Sequence, residues 1–335
     1  MRIAIVGAGG LGSVVGGYLA RSGVEVTLIG RPVQVEAITT GGLRIDGPSG
    51  TFHVSEDLHA VTDAASAVGP FDYLVIAVKH KDTEGALADV GSILGDAGCV
   101  FSLQNSLVKD EFLVERLGPD RVIGASITDA GTLIEPGYAV HPMSAAVTAY
   151  FGELDGRVSA RTESLASAFT AAGLAAEAVD CVVQVEREKL AQICIAATWA
   201  TSTLGMFPGS VVDAWKTRHG MEHYVQIGKE VLGVYSGMGY EPQDFYRPLA
   251  HLRRLDGLPF DEAVEFIAKI AAALRASGTE VRPSMHNDLL RGRTTEVDEI
   301  TLPFLEAADE QGRDVPTLRG AYRVIKTLEA ATDAR

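Results

Sequence analysis

The first half of the chain alternates between short apolar runs and stretches with helical spacing. Residues 2–6 and 24–30 (VEVTLIG) are apolar runs of strand length, and a glycine-rich loop with a helical stretch separates them. Residues 72–78 (DYLVIAV) form another run, a helical pattern follows over 82–94, and the next run is 99–103 (CVFSL). Such runs are typical of strands buried on both faces. Strands that alternate with helices predict an α/β fold with a doubly wound, mostly parallel sheet.

Other parts of this half alternate between apolar and polar positions. The segment 43–55 (LRIDGPSGTFHVS) alternates around a Gly-Pro-Ser-Gly turn, which predicts a β-hairpin. The segment 121–127 (RVIGASI) predicts one more strand, and residues 131–152 predict antiparallel strands with turns at EPG and HPMS. The strands are therefore expected to be mostly, but not wholly, parallel.

The pattern changes after about Asp180, where strand-like runs nearly vanish. Residues 181–205 (CVVQVEREKLAQICIAATWATSTLG) predict one long helix. The remainder predicts helices that are broken at FPGS, GYEP, GLPF, SGTEVRPS and GRDVP. The sequence therefore predicts two domains, residues 1–179 and residues 180–335, of which the second is all-helical.

Charge and hydropathy exclude several classes of partner. The 335 residues include 44 acidic and 29 basic side chains, a formal net charge of −15. Nucleic acid and anionic membranes require a concentrated basic face, so neither is an expected partner. The longest uncharged stretch, 191–212, is interrupted by polar residues, glycine and proline, and it predicts a buried helix rather than a membrane span. No apolar leader precedes the first strand, so a cytoplasmic protein is expected.

The three cysteines give no sign of a metal or disulfide framework. Cys99, Cys181 and Cys194 form no C-x-x-C pair and no set with zinc-ligand spacing. We expect them to be reduced packing residues, and no metal site is predicted.

The segment GAGGLG places Gly7, Gly9 and Gly12 in a G-x-G-x-x-G pattern directly after the first strand. The first glycine allows a tight turn, the second lets the backbone approach a pyrophosphate, and the third allows close strand–helix packing. A pyrophosphate would lie at the helix N-terminus, against the backbone of Gly10 and Leu11, where free N–H groups favour negative charge. The alternative is a tight strand–helix turn without a ligand. The flanking strands favour a Rossmann-type dinucleotide-binding unit.

The second strand ends in LIGRPVQ, with Arg31 near the expected position of the adenosine ribose. NAD-binding folds carry an acid there, which accepts hydrogen bonds from the ribose 2′-hydroxyl. A guanidinium can instead form charge-assisted hydrogen bonds to a 2′-phosphate. The sequence therefore favours NADP(H) over NAD(H), and the alternative is a surface arginine in a loop.

Polar side chains follow two neighbouring strands of the predicted sheet. Lys79 follows the strand 72–78, and Gln104 and Asn105 follow the strand 99–103. Ligands bind at the carboxyl ends of such strands, so these residues are candidates for holding the nicotinamide or the substrate. The alternative for the amides is a structural role in a turn or cap.

Lys189 lies in EREKLAQICIAATW, where the predicted helix changes from polar to apolar. A lysine at the edge of a cleft can act as a general acid if burial lowers its pKa. The alternative is a solvated lysine that Glu186 or Glu188 balances. The apolar stripe that follows comprises Leu190, Ile193, Ala196 and Ala197.

The late segment RPSMHNDLLRGRTTEVDEI has adequate structural explanations of its own. Ser284 follows a proline and predicts the N-cap of a short helix that includes Asp288. Thr294 or Thr295 predicts the cap of the next helix, with Glu296 among the acids near its N-terminus. These residues become functional candidates only if they form part of one pattern together with the motifs earlier in the chain.

The motifs together resemble the ketopantoate reductase (2-dehydropantoate 2-reductase) family over nearly the whole chain. The matching features are GAGGLG, the arginine after the second strand, AVK, QN, EKL and SMHNDLLRGRTTEVD. The last is the most specific, because family members carry Ser-Met, an aspartate and R-x-T-E-x-D at this spacing. The resemblance implies a Rossmann domain (1–179) that binds NADP(H), then a helical substrate domain (180–335), with the active site in the cleft.

The resemblance also implies roles for individual residues. Lys189 stands where the family has its catalytic lysine, and Ser284 and Glu296 stand where it has substrate-binding residues. Glu296 would accept a hydrogen bond from a substrate hydroxyl and help to orient the lysine. Asn105 matches an asparagine beside the nicotinamide and the substrate, and Lys79 matches a lysine near the cofactor.

Two features depart from the family pattern. QNS stands where the family continues QNG. Ile193 and Ala197 stand where the family helix carries asparagines four and eight residues after the catalytic lysine. A site that loses hydrogen-bond partners for a small polar hydroxy acid discriminates against that substrate. Ile193 and Ala197 therefore point to a bulkier or less polar substrate.

The sequence predicts an NADPH-dependent oxidoreductase that transfers hydride between the nicotinamide and a small-molecule ketone or secondary alcohol. The first hypothesis is reduction of 2-dehydropantoate to pantoate for pantothenate synthesis. The second is the same chemistry on a bulkier or less polar substrate in a catabolic pathway. The third is a non-catalytic NADP(H)-binding sensor. The sequence leaves the oligomeric state open between a monomer and a homodimer.

Overall fold

The computed structural model describes most of the chain. Part of the predicted HPMS turn and one residue at the tip of the predicted hairpin lie outside the described residues. The structure describes residues 1–48, 50–142, 147–247 and 250–333.

The chain divides into two compact units. The division falls inside one helix, between Glu186 and Arg187. Unit 1 comprises Met1–Glu186 with Tyr246–Leu249, and unit 2 comprises Arg187–Phe245 with Ala250–Arg335.

Unit 1 is built on strands whose apolar side chains are buried on both faces. In the first strand, Ile3 and Ile5 pack into one core, while Ala4 and Val6 pack into a second core on the opposite face. This is the alternation that a strand covered on both sides must show. The described strands are β1 (Arg2–Val6), β2 (Glu25–Ile29), β3 (Leu43–Gly47), β4 (Gly50–Val54), β5 (Leu58–Val61), β6 (Phe71–Ile76), β7 (Ala97–Ser102), β8 (Gly124–Ile127), β9 (Thr132–Glu135), β10 (Tyr138–Val140), β11 (Ala149–Gly152) and β12 (Ala176–Ala178).

These strands form three sheets among the described residues. The largest has the order β5-β2-β1-β6-β7 and is parallel throughout, which confirms the predicted α/β core. The second, β4-β3-β10-β9, contains the predicted hairpin. The third is β12-β11-β8.

The strand predicted over 121–127 is shorter than expected and belongs to the third sheet. It begins at Gly124 and pairs antiparallel with β11, and Val122 makes an isolated parallel bridge with Val100 of β7. The apolar pattern shows that this segment is buried, but pairing with a distant strand decides its sheet.

Helices cover both faces of the parallel sheet. The helix that supplies Leu165 and Phe169 packs on one face, and the helices that supply Leu87, Ile93 and Leu113 pack on the other. The single helix predicted over 82–94 is instead two, broken at Val90, because a glycine follows there and weakens helix continuation. The helices that begin in unit 1 are α1 (Gly10–Arg21), α2 (Pro32–Gly41), α3 (Thr83–Asp89), α4 (Gly91–Leu94), α5 (Lys109–Leu117), α6 (Ala160–Ala172) and α7 (Val182–Ile193).

Unit 2 is helical over its described residues, which agrees with the predicted all-helical second half. Helices are interrupted at all five predicted breaks, and a further break between Ala214 and Arg218 was not predicted. Glu230 is buried and accepts hydrogen bonds from the backbone of Thr317 and Leu318, so it satisfies free N–H groups at the start of the last helix. The further helices are α8 (Trp199–Leu204), α9 (Val211–Ala214), α10 (Arg218–Gly237), α11 (Leu252–Gly257), α12 (Phe260–Ser277), α13 (Ser284–Leu290), α14 (Val297–Glu310) and α15 (Pro316–Asp333).

The helix predicted over 181–205 is continuous but not uniform. A π-helical segment, Cys194–Thr198, separates α7 from α8. In a π turn the hydrogen bonds run from i to i+5, so the turn holds one more residue than an α turn. Apolar periodicity does not distinguish the two within a single turn, so the sequence could not predict this segment.

Candidate active site

The glycine loop is fixed against the ends of two strands. The backbone N–H groups of Gly7 and Ala8 donate to the carbonyl of Ile29, at 2.9 and 3.3 Å. Gly7 has a φ of 113°, and a Cβ there would lie 2.8 Å from the carbonyl carbon of Ala77. Only glycine fits such a position. The loop therefore lies between the end of β2 and the segment that follows β6.

The N-terminus of α1 is open where a cofactor phosphate would bind. Gly9 is the N-cap and is exposed, and no described atom lies within 4 Å of a Cβ built there. The first turn of α1 contains no acid, and its free N–H groups favour an anion. Gly12 is buried below, and Leu11 packs against the core of unit 1. These residues fit a dinucleotide pyrophosphate.

Gly10 makes a close backbone contact that the sequence analysis missed. A Cβ at Gly10 would lie 2.0 Å from the carbonyl oxygen of Gly131, and one at Gly131 would lie 2.2 Å from the carbonyl oxygen of Gly10. The loop after β8 therefore packs directly on the first turn of α1. A glycine in DAGT is a weak signal by itself, because its partner is distant in the sequence.

Arg31 lies next to this loop and is the N-cap of α2. The residue before it, Gly30, is so close to the loop that a Cβ there would lie 2.6 Å from the Cβ of Ala8. Arg31 is exposed, and no described residue forms an ion pair with its guanidinium. The structure thus brings Arg31 and the glycine loop together at the carboxyl edge of the parallel sheet.

Gln34, a second residue of this region, was not predicted. Its buried amide donates to the hydroxyl of Ser13 at 3.2 Å and accepts from the backbone N–H of Gly137 at 3.0 Å. The Ser13 hydroxyl in turn donates to the carbonyl of Ala8 at 3.2 Å. Gln34 therefore joins the first turn of α2 to the helix that carries the glycine loop. Without the fold, a glutamine in a helix is indistinguishable from a solvated one.

Lys79 and Asn105 follow the paired strands β6 and β7, as the sequence predicts. The strands are parallel, so both residues lie at the carboxyl edge of the same sheet as the glycine loop. Lys79 is exposed and Asn105 is half-buried. Gln104 has the structural role, since its amide donates to the carbonyl of Val78 at 2.8 Å and to the hydroxyl of Thr83 at 2.7 Å.

In unit 2, Lys189 lies on α7 and is half-buried. The two glutamates that the sequence offered as its counterions have other partners. Glu188 accepts hydrogen bonds from the backbone of Gln243 and Phe245, at 2.6 and 3.0 Å, and burial raises its pKa. Glu186, in unit 1, is 2.7 Å from Lys109 Nζ. Structural contacts thus account for both carboxylates.

The apolar positions after Lys189 differ in exposure. Ile193 is the last residue of α7 and is half-buried, whereas Ala197 lies in the π segment and is 4% exposed. The hydroxyl of Thr198, at the end of that segment, lies 2.8 Å from the hydroxyl of Thr301 on α14.

Glu296 is the N-cap of α14 and is half-buried. The prediction that Thr294 or Thr295 is the N-cap of this helix is wrong, although the Thr295 hydroxyl accepts from the backbone N–H of Val297 at 3.2 Å. The backbone N–H and the hydroxyl of Thr295 both donate to Glu329, each at 2.7 Å. Asp298 accepts from the Tyr322 hydroxyl at 2.8 Å and from Lys326 at 2.9 Å. The residues on both sides of Glu296 are therefore anchored to α15.

Ser284 is the first residue of α13, and Pro283 is the N-cap, so the prediction that Ser284 caps this helix is wrong. Ser284 is exposed, while Met285, His286 and Asp288 behind it are buried. The proline fixes the extended backbone that a cap needs and shifts the helix start by one residue.

The described residues show neither a metal-binding cluster nor a membrane-spanning helix. The described residues contain no group of three or more His, Cys, Asp or Glu side chains arranged to hold a metal. Among the helices that the structure describes, none is both long and apolar enough to span a bilayer.

Each unit carries its own set of predicted site residues. Unit 1 carries Gly7, Gly9, Gly10, Leu11, Gly12, Arg31, Lys79 and Asn105, and unit 2 carries Lys189, Ile193, Ala197, Ser284 and Glu296.

A parallel α/β unit with this glycine loop, followed in the chain by a helical unit, is typical of dinucleotide-dependent oxidoreductases. The family model "Ketopantoate reductase PanE/ApbA" matches residues 3–156, and the model of its C-terminal part matches residues 184–329. The chain therefore belongs to the ketopantoate reductase family, and it is an NADP(H)-dependent oxidoreductase.

Similar proteins match over the full length. The 2-dehydropantoate 2-reductase of Archaeoglobus fulgidus is 29% identical over 98% of each chain, and that of Halobacterium salinarum is 28% identical over 98% of this chain and 99% of the other. Among solved structures, a PanE/ApbA family ketopantoate reductase from Ralstonia eutropha has a TM-score of 0.79 at 25% identity, covering 99% of this chain and all of the other. A D-mandelate dehydrogenase with NADH and anilino(oxo)acetate shares the fold, with a TM-score of 0.77 at 20% identity and coverage of 99% and 100%.

Proposed function

We propose that this chain reduces the carbonyl group of a 2-oxo acid with NADPH, and that the acid is 2-dehydropantoate. The observation that carries the proposal is the position of Lys189, which is half-buried on α7 in unit 2. The same unit carries Glu296 and Ser284 at the starts of α14 and α13. The relatives that span the full length include 2-dehydropantoate 2-reductases, which supports the choice of substrate.

The residues of unit 1 bind the cofactor in this proposal. The backbone N–H groups at Gly9 and Gly10 hold the pyrophosphate, and no described atom lies within 4 Å of a Cβ built at Gly9. Arg31 forms charge-assisted hydrogen bonds with the 2′-phosphate. Lys79 and Asn105, at the strand ends, hold the nicotinamide end. NADPH, when bound, supplies the hydride.

The residues of unit 2 act on the substrate. Lys189 donates a hydrogen bond to the carbonyl oxygen, stabilises the negative charge that develops there, and donates a proton to it. In the reverse reaction the lysine accepts that proton. Glu296 accepts a hydrogen bond from a substrate hydroxyl, and Ser284 donates one to the substrate carboxylate.

A second candidate is the same reaction on a 2-oxo acid with a larger apolar group. Ile193 and Ala197 favour it, because neither can hydrogen-bond to the polar groups of a small hydroxy acid. A site lined by apolar side chains selects for apolar substrate surface through burial.

The test is NADPH oxidation by the purified protein with 2-dehydropantoate and with 2-oxo acids that carry branched or aromatic side chains. Lys189→Ala should lower turnover by about two to four orders of magnitude with unchanged NADPH affinity. Efficient turnover of 2-dehydropantoate supports the first candidate, and preference for the bulkier acids supports the second. Retained turnover in Lys189→Ala would contradict the catalytic role of this lysine.

A further inference from the structure

We propose that the buried hydroxyl pair of Thr198 and Thr301 positions the helix of Lys189 relative to the helix of Glu296. The inference rests on the proposed function, because it assigns a purpose to a contact between the two helices that carry the proposed catalytic groups. Both threonines are fully buried, and their hydroxyl oxygens lie 2.8 Å apart.

The pair lies in otherwise apolar surroundings. Ile195 and Trp199 beside Thr198 are fully buried, and Ile300 and Phe304 beside Thr301 are 1% exposed. Apolar contacts favour burial without fixing one register, whereas a hydrogen bond between buried hydroxyls has a defined distance and direction. The contact therefore selects one alignment of the two helices.

The buried Cys194 thiol lies beside the two threonine hydroxyls and completes this polar cluster. Burial raises the pKa of Cys194 to about 12, so the thiol stays neutral at ordinary pH. The cluster spans the π segment, because Cys194 begins the segment and Thr198 ends it.

The π segment explains why a specific anchor is useful here. Its widened turn changes the direction in which later residues face, and π turns occur frequently at functional sites. Lys189 precedes the segment on the same continuous helix, so the position of the segment helps to set the position of the lysine. An anchor at Thr198 fixes the segment against α14.

At the other end of the contact, Thr301 lies near the proposed site residue Glu296 in the sequence. Thr301 lies five residues after Glu296, in the second turn of α14. Thr295 and Asp298 already tie this helix start to α15. Thr301 adds a contact with the helix of Lys189. The contact therefore helps to fix the position of Glu296 relative to Lys189 within unit 2.

The test compares Thr198→Val, Thr301→Val and the double variant, which keep the shape of the side chains. Each single variant leaves one buried hydroxyl without its partner and should unfold at a lower denaturant concentration, whereas the double variant should recover most of that loss. All three should lose about ten- to a hundredfold in kcat with 2-dehydropantoate or the preferred 2-oxo acid, because small misplacements of catalytic groups are costly. Their pH profile of kcat should also shift, while NADPH affinity stays unchanged.

Thr201→Val is the matched control. Thr201 lies on α8, is fully buried, and its hydroxyl has no hydrogen-bond partner among the described residues. This variant should keep the wild-type kcat and pH profile.

A double variant that recovers both stability and wild-type kcat would overturn the inference, because the pair would then be structural only. An equal loss of kcat in Thr201→Val would also overturn it. Lys189→Ala separates this result from failure of the proposed function. If Lys189→Ala is inactive and the double variant is fully active, the positioning role alone is wrong. If Lys189→Ala is active, the proposed function is wrong as well.

Discussion

The side-chain amide of Gln34 donates a hydrogen bond to the hydroxyl of Ser13 across 3.2 Å. Ser13 lies on α1, one residue after the last glycine of the G-x-G-x-x-G pattern, and Gln34 lies three residues after Arg31. The contact thereby fixes the distance between the two structures that would hold the pyrophosphate and the 2′-phosphate. Cofactor recognition depends on this distance as well as on the groups that touch the cofactor.

Gln34→Leu should therefore weaken NADPH binding more than NADH binding. The change also leaves the N–H of Gly137 without its partner, which should cost about 1–3 kcal/mol in the free energy of unfolding. Fluorescence titration with each cofactor and urea unfolding measure the two effects. A loss of stability with an unchanged ratio of the two affinities would mean that Gln34 supports the fold without adjusting Arg31.

Arg31→Ala should remove the charge-assisted hydrogen bonds to the 2′-phosphate. Such bonds are worth about 1.5–3 kcal/mol, so NADPH affinity should fall roughly ten- to a hundredfold. NADH affinity should change little, and Arg31→Lys should retain part of the NADPH affinity, because it keeps the charge but loses the planar donor geometry. Equal losses for NADPH and NADH would show that Arg31 does not contact the phosphate.

Substitution of the two adjacent glycines should separate binding from folding. Gly9→Ala places a methyl group in open space, so the protein should fold with a change of under about 1 kcal/mol, yet the methyl group should block the pyrophosphate. Gly10→Ala places a methyl group 2.0 Å from the carbonyl oxygen of Gly131 and should lower stability as well. Thermal unfolding and cofactor titration of both variants test this. Tight NADPH binding by Gly9→Ala would contradict the proposed phosphate site.

Glu186 should make the stability of the protein depend on pH. Burial, with the nearby Asp110 carboxylate, raises the pKa of Glu186 to about 8 from 4.5, against the opposing effect of Lys109. The folded chain thus holds a proton that the unfolded chain releases near pH 4.5. The stabilisation is present below that pH and is lost as the pH rises to about 8.

Urea unfolding between pH 5 and pH 9 measures this dependence. Glu186→Gln keeps a side-chain oxygen that can accept from the backbone N–H of Ala125, and it removes the titrating group. Its stability should therefore vary less with pH and exceed that of the unchanged protein near pH 8. A pH dependence that is the same in both proteins would assign the titration to another group.

Sequence patterns correctly predicted the strands, loops and helices whose conformation depends on neighbouring residues in the chain. The buried strand 2–6, the glycine loop and the helix to Arg21 follow from apolar runs and glycine spacing, because neighbouring residues determine them. Five breaks of the helical half follow in the same way from glycine and proline. The start of α13 was misplaced by one residue, since Pro283 and Ser284 can both occupy a cap.

Contacts between distant segments could not be predicted. Gln34 meets Gly137, and Thr198 meets Thr301, across more than a hundred positions of the chain. The residues of the π segment, CIAAT, are equally compatible with an ordinary α-helix. Such features depend on which elements pack together, and no periodicity within one element reports that.

The mutual contact of Gly10 and Gly131 links the evolutionary histories of two segments. A larger side chain at either position collides with the backbone of the other, so neither can change first without disturbing the start of α1. The two positions are therefore expected to stay fixed together or to change only after the whole loop has moved. Engineering of the nucleotide preference must accordingly treat both segments as one unit, and libraries that randomise the glycine loop alone will mostly sample proteins that fold poorly.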